Sequence, residues 1–245
     1  MNSVSTPSTP IATPPQSTSA SLLDEGIRLL LLTRMLPATF FFTVALARIS
    51  KLPSLFPLPP NDAGALARAT ALAQIAYHLS VVFFLLLITA LFIVRPQPIR
   101  KSRGLRPRLV ALLGSFLLTF IAAFPNAEPT LLQTAGATIL MVSGSAMTIA
   151  ALLVLGRAFS IFPEARQLVT RGPYGIVRHP MYLGEILAGF GLTVQAFSEF
   201  ALLLFVLFLL VQLARMRYEE QILERTFPEY AAYKCRTARL IPRIY

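Results

Sequence analysis

The chain has 245 residues, 55% of them hydrophobic and only 13% charged, with a mean hydropathy of +0.66, which excludes a soluble globular protein and sets the class as a membrane protein. Its formal net charge of +11 comes from 22 basic residues gathered at the ends of apolar runs, a distribution that suits a membrane surface and argues against a nucleic-acid partner. The one cysteine, Cys235, lies in a basic tail, so no intramolecular disulfide and no oxidising compartment are implied.

Residues 1–21 are rich in Ser, Thr and Pro and lack the cationic start, apolar core and cleavage site of a leader, so they are expected to form a disordered tail. Residues 22–155 hold four apolar runs, at 27–49, 72–94, 109–124 and 130–155. Crossing a bilayer core of about 30 Å takes roughly 20 apolar residues in a helix, and each run is expected to span, the third being short. Pro37 is expected to kink the first, because a mid-helix proline removes a backbone bond. Only residues 125–129 separate the third run from the fourth, which predicts a tight helical hairpin.

The last apolar stretch, 183–214, is interrupted by Ser198 and Glu199. It predicts two helices of about 15 residues folded back on each other, a single long tilted helix being the rival. The fold class is therefore all-α and multi-pass, with about six membrane segments: four spans plus a C-terminal helical hairpin. Residues 156–245 form a separate region made of that hairpin, the loop before it and a polar tail.

Arg95, Arg100, Lys101, Arg103, Arg106 and Arg108 crowd one loop, whereas residues 126–129 have no basic residue. The positive-inside rule makes the first loop cytoplasmic. Alternation then puts 157–181, the tail from 215 to 245 and the N-terminus on the same side. Arg48, Lys51 and Arg68 run against this assignment, since their loop becomes external. Among polar residues within apolar runs, Gln133, Gln195 and Gln212 are expected to hydrogen-bond between helices. Glu185 either lines a tunnel or stays hydrated near the surface. Small residues at Gly136, Ser143, Gly144, Ser145 and Gly156 suggest close helix packing and also permit a homodimer.

Two polar segments stand out. In the first, Gly172 and Pro173 favour a turn, and Pro180 suits the first position of a helix. That leaves Arg178 and His179 at a helix N-terminus, where backbone donors and the helix dipole favour a carboxylate. Arg and Tyr are also frequent where helices enter headgroups, so an interfacial belt explains the same residues. The second segment carries Arg215, Arg217, Glu219, Glu220 and Glu224, then Phe227, Tyr230, Tyr233 and Arg239. Charge pairs at i, i+4 on an exposed helix face are its plain explanation.

Together the segments resemble the isoprenylcysteine carboxyl methyltransferases and their prokaryotic relatives. The resemblance rests on Gly172, Tyr174, Val177, Arg178, His179, Pro180 and Tyr182 in the first half. Glu219, Glu220, Phe227, Tyr230, Tyr233 and the closing Leu240, Ile241 and Pro242 carry the second. It covers about 156–242, and the first four helices match only in character. It implies an S-adenosylmethionine pocket at the cytoplasmic membrane face and a lipophilic methyl acceptor arriving from the bilayer, with no metal. By position, Gly172, Tyr174, His179, Pro180 and Tyr182 would contact the cofactor, with Glu220, Tyr230 and Tyr233 closing over it. Arg178 and Glu219 would serve the reacting end, supported by Arg215 or Arg217.

Both acceptor chemistries remain open, since Arg178 would orient a carboxylate and Glu219 would hold or deprotonate an amine. A phospholipid N-methyltransferase is the enzymatic alternative. A small transporter or structural membrane protein is the other, and it predicts tolerance of His179→Ala.

Overall fold

The computed structural model describes residues 27, 30–123 and 128–242. The expected tail of 1–21 and most of the turn between the third and fourth runs lie outside the described residues. Seven α-helices and one two-stranded sheet make up the regular structure among them.

Helix α1 (Leu36–Ile49) follows a π-helical turn over Leu31–Met35. Pro37 sits in its first turn, and the N–H of Leu36 reaches back five residues to Leu31 O. The expected kink is thus taken up as a widened turn at the proline. Helix α2 (Ala65–Val94) begins seven residues before the expected start, at Gly64, whose φ is 90°. It stops at Arg95, which is extended because Pro96 bars it from the helical region.

Helix α3 (Arg106–Phe116) continues as a 3₁₀ helix over Leu117–Ala123. Helix α4 (Leu131–Leu155) is capped by Thr130, whose hydroxyl accepts from the Gln133 N–H. Helix α5 covers Pro180–Gln195 and α6 covers Glu199–Glu224. Ser198 caps α6 by accepting from the Ala201 N–H, so the stretch 183–214 breaks where Ser198 and Glu199 interrupt it and is not one long helix. A short helix α7 (Tyr230–Arg236) follows.

Among the described residues, four helical segments are long and apolar enough to cross a membrane: Leu31–Leu55, Ala65–Val94, Leu131–Ala158 and Glu199–Glu224. They are not the four expected, since α6 takes the place of the run at 109–124. The arms of the C-terminal pair are also unequal. Helix α6 has 26 residues because Arg, Glu and Gln continue the helix well beyond Ala214.

The C-terminal pair folds back on itself as expected, with Phe190 on Phe205, but the main packing partners lie elsewhere. Helix α5 lies mainly along α4, and α3 lies mainly against α6. Glycine explains the first contact. A Cβ on Gly144 would sit 2.4 Å from Ala188 N, and one on Gly184 would sit 2.4 Å from Thr148 Oγ1, so only hydrogen at these positions lets the two backbones touch. Part of the small-residue stripe is thereby used within the chain, while Gly136 faces open space. Two of the three glutamines bond between helices as expected: Gln133 Nε2 donates to Val194 O at 2.6 Å and Gln212 Nε2 to Glu185 Oε2 at 2.7 Å.

Candidate active site

The site is assembled from the loop between α4 and α5, the last turns of α6, and the tail. Gly156, with φ 52°, ends α4. The chain then runs through strand β2 (Glu164–Ala165), which pairs antiparallel with β1 (Arg100–Lys101). A 3₁₀ turn at Gly172–Gly175 follows. Gly172 takes φ 59° there, and a Cβ on it would meet Val154 at 3.4 Å. Val177 makes a parallel bridge to Ala238, and the N–H groups of Arg178 and His179 donate to Ala238 O and Arg239 O at 2.8 and 3.1 Å. The tail is thus stitched to the loop by backbone bonds before any side chain is considered.

Glu220 locks the same junction. Its carboxylate, 4% exposed, accepts from Arg178 Nε at 2.9 Å and Arg239 Nη2 at 2.5 Å, and lies 3.1 Å from His179 Nε2. Arg178 also donates through Nη1 to Lys234 O and Thr237 O at 2.9 and 2.6 Å. Three basic side chains on one buried carboxylate form a hydrogen-bonded cluster, the condition under which buried charge is tolerated.

In front of this cluster lies a small cleft. Tyr174, Arg178, His179, Tyr182, Glu219, Tyr230 and Tyr233 line it. Burial raises the phenol pKa of Tyr174 and Tyr230 and pushes that of Tyr233 up to about 12, so all three are neutral donors at physiological pH. Tyr233 spends its proton on Tyr174 O at 2.6 Å. The Tyr230 hydroxyl is buried and has no hydrogen-bond partner among the described residues.

A second, larger cavity lies among the helices. It is walled by Phe40, Phe84, Phe116, Leu192 and Phe208, and Glu185 and Arg215 also line it. Met181 lines both cavities. Arg215 is 2% exposed. Its guanidinium lies 4.8 Å from the Tyr182 ring centroid, and Nη2 donates to Ile161 O at 3.2 Å. Glu185 and Glu219 stand 3.8 and 3.9 Å from its Nη1 and Nε, too far for hydrogen bonds. Both of those nitrogens are buried without a hydrogen-bond partner among the described residues. Glu219 instead accepts from the Tyr182 hydroxyl.

The structure therefore brings Tyr174, Arg178, His179, Tyr182, Glu219, Tyr230 and Tyr233 to one cleft. Glu220 stands behind its wall, and Gly172 and Pro180 shape the backbone without lining it. Arg215 faces the apolar cavity, and Arg217 is exposed on α6 and reaches neither space. The bridging position of Met181, the clamp from Arg239 and the wall formed by Ser160, Phe162 and Glu164 carried no signal as isolated letters. Their positions follow from the β1–β2 and tail pairings.

Residues 132–230 match the phospholipid methyltransferase family model, from the start of α4 to the start of α7. The chain is 31% identical over 133 residues to the nickel-cobalt-cadmium resistance protein NccN of Alcaligenes xylosoxydans xylosoxydans, covering 52% of this chain and 60% of that protein. It is 38% identical over 79 residues to the cobalt-zinc-cadmium resistance protein CzcN of Cupriavidus metallidurans, covering 31% of this chain and 36% of that one. The alignments thus span less than two thirds of these relatives' lengths.

Proposed function

From the phospholipid methyltransferase domain over residues 132–230, we propose that this integral membrane protein transfers a methyl group from S-adenosylmethionine to a lipophilic acceptor. The observation that carries the reading is Met181, which lines both the polar cleft and the apolar intramembrane cavity. One space suits a polar cofactor and the other an acyl or prenyl chain, and they meet at one side chain.

The cleft's residues fit that cofactor by their chemistry. Tyr230 offers an unspent buried hydroxyl, and Tyr174, His179 and Tyr182 give an aromatic wall. Bound there, S-adenosylmethionine supplies an electrophilic methyl carbon on a sulfonium. The chain's own task is positioning, since transfer needs a nucleophile in line at about 3 to 3.5 Å. Arg215, buried with Nε and Nη1 unspent, offers an acceptor carboxylate a charge-assisted hydrogen bond. The phenylalanine walls keep water away from the reacting groups.

This favours carboxyl O-methylation, of the isoprenylcysteine type, over the alternatives. A carboxylate acceptor needs no general base. Arg178, whose Nε and Nη1 are already engaged, acts in holding the tail rather than on the acceptor. The second reading, N-methylation of an amine, is supported by the two carboxylates of Glu185 and Glu219 beside Arg215, and a non-enzymatic membrane role has no feature that favours it. The cleft lies on the side of the Arg-rich loop, to which β2 is paired, so the active side faces the cytoplasm.

The test is transfer of a labelled methyl group to membrane lipid extracts by the purified full chain. Label that base releases as methanol marks an ester and supports the carboxyl reading. Base-stable label moves the assignment to an amine, and no label from folded protein contradicts the enzyme.

A further inference from the structure

The segment joining α2 to α3 has a feature that methyl transfer does not use. Arg100, Lys101, Arg103, Arg106 and Arg108 are all exposed, no acidic residue occurs between 95 and 108, and none of the five pairs with an acid among the described residues. Arg95 differs, being buried over the Phe92 ring at 4.1 Å with Nη2 on Thr33 O at 2.6 Å. Ile99 and Leu105, on either side of Arg100, Lys101 and Arg103, are each 67% exposed. The segment turns at Gly104, whose φ is 88°.

The preceding helix crosses the membrane, so the segment emerges at the headgroup level. Exposed aliphatic side chains beside unpaired cations at that level match an interfacial contact, the former entering the acyl boundary and the latter meeting phosphates. The same segment is bonded to the cleft. Ile99 N–H donates to Ala165 O at 2.8 Å and Ser102 N–H to Pro163 O at 3.1 Å. Glu164, one residue away, lines the cleft and accepts from Ser160 Oγ at 2.9 Å and Arg166 Nη2 at 2.7 Å.

We infer that residues 99–105 dock on an anionic lipid surface, and that this docking orders the 160–166 wall of the cleft through the β1–β2 pairing. The first part stands independently, and the second rests on the cofactor reading only for its effect on binding.

The test uses the full chain in nanodiscs of phosphatidylcholine alone or mixed with phosphatidylglycerol. Hydrogen exchange is read at Ile99, Ser102 and 160–166, with S-adenosylhomocysteine calorimetry alongside. Anionic lipid is expected to slow exchange by roughly tenfold, with salt reversing the effect. The R100Q/K101Q/R103Q variant is expected to behave alike in both discs. Equal wild-type rates in the two lipids, or a lipid effect retained by the variant, would overturn docking. Exchange slowed at Ile99 and Ser102 but unchanged at 160–166 would overturn the coupling to the cleft. Slowed exchange with no S-adenosylhomocysteine binding in either disc supports docking and removes the cofactor reading alone.

Discussion

Arg178 Nε donates to Glu220 Oε1 across 2.9 Å, so the loop ahead of α5 is tied to the end of α6 by a bond that also anchors the tail, through Arg178 Nη1 on Lys234 O and Thr237 O. A buried carboxylate that serves three basic groups cannot be neutralised without leaving them uncompensated. Glu220→Gln is therefore expected to destabilise the protein by about 3 kcal/mol and to weaken S-adenosylhomocysteine binding. Thermal unfolding in detergent, paired with calorimetry, reads both effects. An unchanged melting temperature would show that the cluster does not hold the tail.

Tyr230 separates ligand binding from folding. Its hydroxyl has no partner among the described residues, so Tyr230→Phe removes no intramolecular bond. Stability is expected to hold or rise slightly, while S-adenosylhomocysteine affinity falls by about 1 kcal/mol, roughly fivefold. Equal affinities in parallel titrations of variant and wild type would assign the hydroxyl no role.

The acceptor cavity is testable at Gly189. A Cβ there meets the tip of Leu118 at 2.5 Å, a flexible contact, and the glycine lines the apolar space. Gly189→Leu is expected to leave S-adenosylhomocysteine affinity within about twofold while methyl transfer falls tenfold or more, because the added side chain occupies acceptor volume. A full transfer rate in a chain that melts like wild type would place the acceptor elsewhere.

Gly184 tests the contact between α4 and α5. Its added Cβ would lie 2.4 Å from Thr148 Oγ1 and 2.7 Å from Gly144 O and Thr148 N. Since backbone cannot yield cheaply, Gly184→Ala is expected to cost about 1–3 kcal/mol, whereas Gly136→Ala, facing open space, is expected to cost nothing. Similar melting temperatures for the two variants would contradict the close packing.

The helical segments were legible because hydropathy reports burial in lipid directly, and the break at Ser198 because a serine followed by an acidic residue caps a helix. Helix partners were not legible, since lipid-facing and helix-facing Leu and Phe read alike in sequence. Gly144 and Gly184 settle the α4–α5 contact only when both are seen on facing surfaces. The roles of Arg178 and Arg215 show the same limit. Each is an arginine near glutamates in a polar segment, yet one has its Nε and Nη1 engaged by Glu220 and the tail while the other keeps two unspent donors beside an apolar cavity. Composition and spacing cannot assign such pairings, because they depend on how the tail returns to Val177 through Ala238.

The most direct measurement of the central claim is calorimetry of the purified full chain with S-adenosylhomocysteine, comparing wild type with Tyr230→Phe and His179→Ala. Saturable binding that both substitutions weaken, in proteins that melt cooperatively, is the predicted result. A well-folded wild type that takes up no S-adenosylhomocysteine would contradict it.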